Sequence, residues 1–219
     1  MLSKENLLTW RKNKLNQCKE FPEHLFYMSK KKNFKSIIEN GILPQNKANK
    51  IMYDSFADNE VQKLRSSISL YISGNKKKKL HDLVPLYFTP KTPTSSRIRE
   101  DQNNIFFCKI SSIKLIADIN KDFAFTDGNA ASLDTIKYYS LNSLNKLNWK
   151  IINSDSWHDK PDGKRIRNAE FFIKCNIEKE YIFEFSVNNE NLKDDLEKVL
   201  IEKQIKIPVT IDNRCFFPS

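Results

Sequence analysis

The order of segments predicts an α+β fold in one domain. Three observations carry the prediction. Helical apolar stripes and short apolar strands follow each other without a regular βαβ rhythm. The chain has 219 residues, 15 of them phenylalanine, and 39% are hydrophobic, enough to close one core. Its four glycines, Gly41, Gly74, Gly128 and Gly163, leave no room for a GxGxxG or GxxxxGK(S/T) phosphate loop, which argues against Rossmann and P-loop designs.

From the N-terminus, residues 3–19 read as a helix. Ser3 can cap it, and Leu7, Leu8, Leu15 and Cys18 can share a face. His24-Leu25-Phe26-Tyr27-Met28 is the first strand. Residues 33–41 form a second helix, with Phe34, Ile37 and Ile38 on one face and Asn40-Gly41 as its stop. Residues 54–72 are predicted as a further helix with Phe56, Val61, Leu64, Ile68 and Tyr71 apolar. Residues 73–79 read as a basic turn. Its lysines, Lys76 to Lys79, are first a solvated surface and second a nonspecific phosphate contact. Val84-Pro85-Leu86-Tyr87-Phe88 is a strand, edge-like because proline offers no ladder N–H. Residues 104–110 are almost continuously apolar and so are predicted central. Residues 115–125 hold strand-like pieces. Phe171-Phe172-Ile173 and residues 181–187 are strands, residues 191–204 a helix, and residues 205–211 the last strand.

Charge and compartment come next. Lysine and arginine number 37 against 27 acids, a net charge of +10. Such a balance favours an anionic partner: nucleic acid, nucleotide or membrane surface. No apolar run reaches the ~18–20 residues of a membrane span, and the first residues lack a signal-peptide core. Cys18, Cys108, Cys175 and Cys215 are scattered without a CxxC, and His24, His81 and His158 supply no HExxH. The expectation is a soluble, cytoplasmic, reducing location, with no membrane and no bound metal.

Residues 126–169 form an unusually long polar stretch, and connections of that length tend to be functional or disordered. The stretch ends on Asn168-Ala169-Glu170-Phe171-Phe172, a lone carboxylate leading into an apolar strand. Read alone, a surface acid is the commoner case. Trp149, Trp157 and His158 are followed by Lys160, Lys164, Arg165 and Arg167. Rings interleaved with cations suit a single-stranded polymer, whose bases stack and whose phosphates pair. A solvated basic face over buried tryptophans is the equal alternative.

Five stretches in order resemble the DarT family, bacterial toxins that move ADP-ribose from NAD onto DNA bases. They are Leu25 to Leu43, the helix ending near Gln62-Lys63-Leu64-Arg65, the string Leu80-His81-Asp82-Leu83-Val84-Pro85-Leu86-Tyr87-Phe88-Thr89-Pro90-Lys91-Thr92-Pro93, Phe125-Thr126-Asp127-Gly128-Asn129-Ala130, and Trp157 to Phe172. In the first, Tyr27 stands where the family has histidine and Ser29 where it has threonine. Asn168 replaces a glutamine.

The resemblance implies an ADP-ribosyltransferase-like domain over residues 21–219, with a central mixed, split β-sheet flanked by helices. Residues 1–20 would be an N-terminal helical extension. It implies NAD as co-substrate, without metal. Breaking the nicotinamide–ribose bond develops positive charge on the ribose, so a fixed carboxylate is required. The resemblance gives that role to Glu170 and the second catalytic place to Arg65, whose guanidinium can fork onto phosphate. It also implies that this arginine takes a proton from the target base. Tyr27, Met28, Ser29, Ser36, Pro44 and Arg65 would hold NAD under a mobile cover of residues 46–65. Tyr87 and Phe88 are either core or a wall behind nicotinamide. Trp157, His158, Lys164, Arg165 and Arg167 would bind single-stranded DNA, with RNA as the variant. A toxin implies an antitoxin, here one with a macrodomain that removes ADP-ribose. Two other classes compete. A catalytically inactive nucleic-acid binder would follow from the Tyr27 replacement. A nuclease would need clustered acids, but Asp118, Asp122, Asp127 and Asp134 match no metal spacing.

Overall fold

A computed structural model describes residues 3–51, 53–56, 59–73, 75–118 and 120–218. Ala57 and Asp58 of the expected third helix and Gly74 of the expected basic turn lie outside the described residues.

The chain opens with α1 (Lys4–Gln17), whose cap is the expected one: Ser3 Oγ accepts from the Asn6 N–H at 3.2 Å. Leu15 enters the main core. Arg11 is buried too, and its Nη1 donates to the carbonyls of Ile116 (3.0 Å), Asp118 (2.8 Å) and Lys121 (3.3 Å). Burying a guanidinium is tolerable because carbonyls replace its water.

Eight strands form one sheet, in two halves. In the first, β1 (His24–Lys30) pairs along its whole length with β5 (Ile105–Ser111), from His24↔Ser111 to Lys30↔Ile105. Beyond β5 lies β9 (Ile182–Val187), then β10 (Val209–Ile211), the latter pair parallel. In the second half, β4 (Leu83–Tyr87) pairs with β8 (Glu170–Lys174), β8 with β6 (Phe123–Thr126), and β6 with β7 (Lys137–Tyr138). The halves meet at a single register pair, Phe26↔Tyr87. The sheet is therefore mixed and split, as the resemblance implied.

The split explains Pro85. β4 lies inside the sheet, not at its edge. At Pro85, however, only Phe172 of β8 stands opposite in the register, so the missing N–H has no ladder to interrupt on the β1 side.

Helices cover the sheet. α2 (Phe34–Asn40) and α9 (Glu190–Glu202) pack together, and Phe34 sits edge-on to Phe106 and Phe185. α2 stops at Gly41, whose φ of 74° favours glycine, and a Cβ there would lie 2.5 Å from the Ile177 carbonyl oxygen. Across the sheet, Phe123 and Phe125 stack on Phe171. Trp149, at the start of α7 (Trp149–Ile152), is core: it is buried against Phe88, and its Nε1 donates to the Leu144 carbonyl at 2.9 Å.

Two predicted elements change type. The helix expected over 54–72 is α4 (Asn59–Ser67) followed by β2 (Ser69–Ile72). Leu70 and Ile72 are buried while Tyr71 is exposed, a period of two that the longer apolar count concealed. The basic turn is a strand, β3 (Lys76–Lys79), antiparallel to β2. An exposed two-stranded ribbon tolerates lysines because their charged ends stay in water. The strand-like pieces of 115–125 resolve into α6 (Ser112–Ala117) and β6, and only the end of 205–211 pairs. No helix among the described residues is long and apolar enough to cross a membrane.

Candidate active site

The gap between β1 and β4 opens into a cavity of about 800 Å³. β1 contributes Tyr27 and Met28, β4 contributes Pro85 and Tyr87, and Glu170 comes from the first residue of β8. The cover comprises residues beside α3 (Gln45–Ala48), residues 53–56, and α4. The rim is residues 157–164, just before and within α8 (Gly163–Ile166).

Glu170 is 2% exposed and stands opposite Tyr87 in the register. Its backbone N–H donates to Thr126 Oγ1 at 3.1 Å, and that hydroxyl donates onward to the Gly128 carbonyl at 2.7 Å. Its Oε1 accepts from the Ala130 N–H at 3.0 Å and from Arg65 Nη1 at 3.1 Å. Its Oε2 accepts from Arg65 Nη2 at 2.8 Å. A carboxylate oxygen offers two lone-pair directions. Oε1 has both engaged, and Oε2 has one engaged in these contacts.

The segment from Thr126 to Ala130 thus wraps the glutamate. Glycine is required at 128 by close approach: a Cβ would lie 2.4 Å from Arg165 Nη1 and 3.0 Å from the Arg165 carbonyl oxygen. Arg165 is locked there by Asp127 (2.8 Å), Asp162 (2.6 Å) and Thr135 Oγ1 (3.1 Å).

Arg65 closes the site from above. Its side chain is 13% exposed, and its guanidinium lies 6.0 Å over the Phe172 ring. Burial alone would lower its pKa, but the Glu170 charge and hydrogen bonds raise it, so the cation is secure. Burial, then the Glu170 charge, pushes the Tyr87 phenol up to about 12. His81 is held below its ordinary value by burial and by Arg65, and its buried Nε2 has no hydrogen-bond partner among the described residues. An orphaned polar atom on a cavity wall fits a cavity shaped for a polar ligand.

The cover is tied to β1 by polar contacts. Tyr27 and Tyr53 share a hydroxyl hydrogen bond of 3.0 Å, and burial lifts both phenols, Tyr27 most. Asn33 clamps residue 54 twice: Nδ2 donates to the Asp54 carbonyl and Oδ1 accepts its N–H, both at 2.8 Å. Lys30 pairs with the Asp54 carboxylate at 2.8 Å.

The expected NAD residues divide. Tyr27, Met28 and Arg65 line the cavity. Ser29 is buried behind it, its Oγ accepting from Asn33 Nδ2 at 3.1 Å. Pro44 is buried between the lining residues Leu43 and Gln45. Ser36 stands apart on α2, accepting from Asn40 Nδ2 at 3.3 Å. Tyr87 belongs to the cavity, whereas Phe88 is core.

The expected nucleic-acid residues divide as well. Trp157, His158 and Lys164 lie on the rim, with Lys164 and His158 exposed and Trp157 buried edge-on to Phe217. Arg165 is mostly committed to its acidic partners. Arg167 is corrected to a structural cation. It is 4% exposed and donates to the carbonyls of Lys91 (2.9 Å), Ile151 (3.4 Å) and Ile152. Burial lowers its pKa to about 10. Asn168 steadies the rim, its Oδ1 accepting from Thr94 Oγ1 at 2.9 Å while its Nδ2 donates to the Lys164 carbonyl at 3.1 Å.

Sequence reasoning assigned no role to Tyr53, Asn33, His81 or Thr126. Asn33, His81 and Thr126 stood inside the quoted stretches, which was their signal. Tyr53 lies in no periodic segment and gave none.

Comparison with known proteins agrees with this fold. The family described as "DarT: ssDNA thymidine ADP-ribosyltransferase, DarT" matches residues 26–217. A DNA ADP-ribosyl transferase of Thermus aquaticus is 24% identical over 187 residues, 83% of this chain and 82% of that protein. A DNA ADP-ribosyl transferase–DNA ADP-ribosyl glycohydrolase fusion protein of Thermosipho africanus is 27% identical over 196 residues, 88% of this chain and 49% of the fusion. The solved structure of Thermus sp. 2.9 DarT with ADP-ribosylated ssDNA superposes with a TM-score of 0.81 at 22% identity, covering 90% of this chain and 97% of that one. The same protein with NAD+ gives 0.76 at 20% identity, covering 90% and 98%. A split mixed sheet, a wrapped glutamate at a strand start and a family match across most of the length lead to one conclusion: the chain belongs to the DarT family of ssDNA thymidine ADP-ribosyltransferases.

Proposed function

We propose that this chain transfers ADP-ribose from NAD to thymidine in single-stranded DNA, with Glu170 and Arg65 as its catalytic residues. The observation that carries the reading is the Glu170–Arg65 pair that joins the floor of the cavity to its cover, a carboxylate fixed by Thr126, Ala130 and a forked guanidinium. NAD, when bound, supplies the ADP-ribosyl group and the nicotinamide leaving group.

The residues then divide the work. Glu170 holds negative charge where the ribose becomes positive, and the open direction on Oε2 accepts a ribose hydroxyl. Arg65 orients that carboxylate and is one of the cations in the cavity available to phosphate oxygens. Because Glu170 secures its charge, Arg65 would have to give up a proton of its own before it could accept one from the base. Tyr87 keeps its proton well past neutrality and so donates a hydrogen bond beside Glu170. Tyr27 and Met28 line the opposite wall. Tyr27 retains a polar group where the family has histidine, so its replacement does not by itself indicate an inactive protein. Ser29 supports this wall from behind, Pro44 shapes the turn into the cover, and Ser36 is left without a catalytic role.

The rim residues Trp157, His158 and Lys164 meet the polymer, with Arg165 holding the loop that presents them. Single-stranded DNA is the preferred substrate because the family description names it and a solved fold neighbour carries it. A cytoplasmic place of action, a macrodomain ADP-ribosylglycohydrolase antitoxin and a toxin's role complete the proposal. The Thermosipho relative joins transferase and glycohydrolase in one chain, which supports that partner. The test is mass spectrometry of thymidine-containing DNA and matching RNA oligonucleotides incubated with protein and NAD. One added ADP-ribose on DNA alone is expected. Transfer only to RNA, or to neither, would overturn the assignment.

A further inference from the structure

The geometry points to a second polymer-binding surface: the outer face of the β2–β3 ribbon, with Tyr139 beside it, docks single-stranded DNA flanking the modified base. This inference rests on the proposed function and extends it beyond the cavity.

The argument begins with register. Tyr71 pairs with Lys77 and Ser69 with Lys79, so these four share one face of the ribbon. The other face turns Leu70 and Ile72 into a core cluster with Leu80, Leu83 and Phe172. The outer face is left to water. Tyr71 is 49% exposed and Tyr139 46%, and their rings lie 6.2 Å apart at 52°. Lys77 and Lys79 are exposed, as is Lys137 two residues before Tyr139. None of these three lysines forms an ion pair among the described residues.

Two large exposed rings amid unneutralised cations match the chemistry of single-stranded nucleic acid, in which bases stack and phosphates pair. An acidic protein would meet the lysines but gives no reason for paired exposed tyrosines. Position supports the same occupant. Lys79 runs directly into Leu80 and His81 on the cavity wall, and the ribbon packs beside α4, which carries Arg65. Lys77 and Lys79 are about 6.8 Å apart along the strand, a spacing that reaches two nucleotides of a stacked chain.

The experiment uses the full chain with NAD and thymidine-containing DNA oligonucleotides of two lengths, one just filling the cavity and one several-fold longer. Wild-type transfer to the short oligonucleotide tests the proposed function separately. Two double variants, Tyr71→Ala with Tyr139→Ala and Lys77→Ala with Lys79→Ala, are then compared. Each should lower kcat/KM for the long oligonucleotide by ~10-fold while leaving the short one unchanged. The lysine variant should also flatten the log–log salt dependence of long-oligonucleotide binding by about 1.4, at ~0.7 per lost contact. Equal effects on both lengths, or none on either while wild type is active, would overturn the surface. Loss of binding to an acidic protein partner with long-oligonucleotide transfer intact would overturn it in favour of that partner.

Discussion

Glu170 and Arg65 meet in one ion pair, yet the segments delivering them are built in different ways. Glu170 comes from a strand with β4 on one side and β6 on the other, in a layer of stacked phenylalanines. Its backbone and its carboxylate are both held by the segment from Thr126 to Ala130. Arg65 comes from α4, which buries none of its residues and exposes Val61 and Leu64. That side of the cavity is fixed to the rest by polar contacts: Asn33 and Lys30 on Asp54, Tyr27 on Tyr53, and Arg65 on Glu170 itself. Apolar packing sets the floor during folding. Individually modest hydrogen bonds set the cover, each worth about 0.5–1.5 kcal/mol net. Local opening should therefore begin at the cover, where few apolar contacts must break.

The sharpest way to break this contrast is Glu170→Gln. Removing the charge should lower single-turnover transfer by ~10³-fold or more. A cover that can let go will release Arg65 to water, so urea unfolding should show a loss of only about 1 kcal/mol. A loss of ~3–5 kcal/mol, the usual result of orphaning a buried charge, would mean that the cover is as rigid as the floor. Arg65→Lys probes the same pair from the other side. It keeps the charge and loses the fork, and transfer should fall ~100-fold through misplacement. Near-normal transfer by this variant would leave Arg65 only a surface role.

Gly128→Ala and Asn33→Ala test the two regions separately. The first forces a methyl group against Arg165 beneath the floor. It should cost ~1–3 kcal/mol in stability and reduce kcat. The second removes the double clamp on Asp54. It should raise the KM for NAD several-fold, leave kcat nearly unchanged, and speed proteolysis within residues 53–56. Reversed signatures would interchange the roles of floor and cover. The smallest effect expected is in pH. His81 titrates below its ordinary value, so the unfolded chain takes up that proton before the folded one does as pH falls. Stability should therefore decline as pH drops through about 6.5, and the decline should be shallower in His81→Gln.

How much of this was legible in the sequence follows the same division. The first helix and its Ser3 cap, β1, α2 with its Gly41 stop, and the central β5 all follow from local chemistry. The split sheet and the placing of Glu170 and Arg65 in one site came through resemblance, and their ion pair came from the structure. No periodicity brings residues 65 and 170 together. The β2–β3 ribbon was hidden because four consecutive lysines look like a solvated turn, and only their pairing with Leu70 and Ile72 makes a strand. Arg167 looked like a surface cation because its partners are backbone carbonyls, which carry no side-chain signature. Tyr53 acts through a hydroxyl hydrogen bond to Tyr27 and Asn33 through a pair of hydrogen bonds to the Asp54 backbone, and such contacts leave no spacing to read.

The position of β8 has a consequence for the order in which the protein is made. This strand sits between β4 and β6, both synthesised earlier, and it begins with Glu170 itself. Until residues 170–174 emerge, β4 and β6 have no common neighbour, and the Thr126 hydroxyl and the Ala130 N–H have no carboxylate to hold. A growing chain therefore carries its arginine, tyrosines and rim residues without the carboxylate that joins them until that strand emerges. The site is complete only once the strand bearing its glutamate has been made and inserted between its two neighbours.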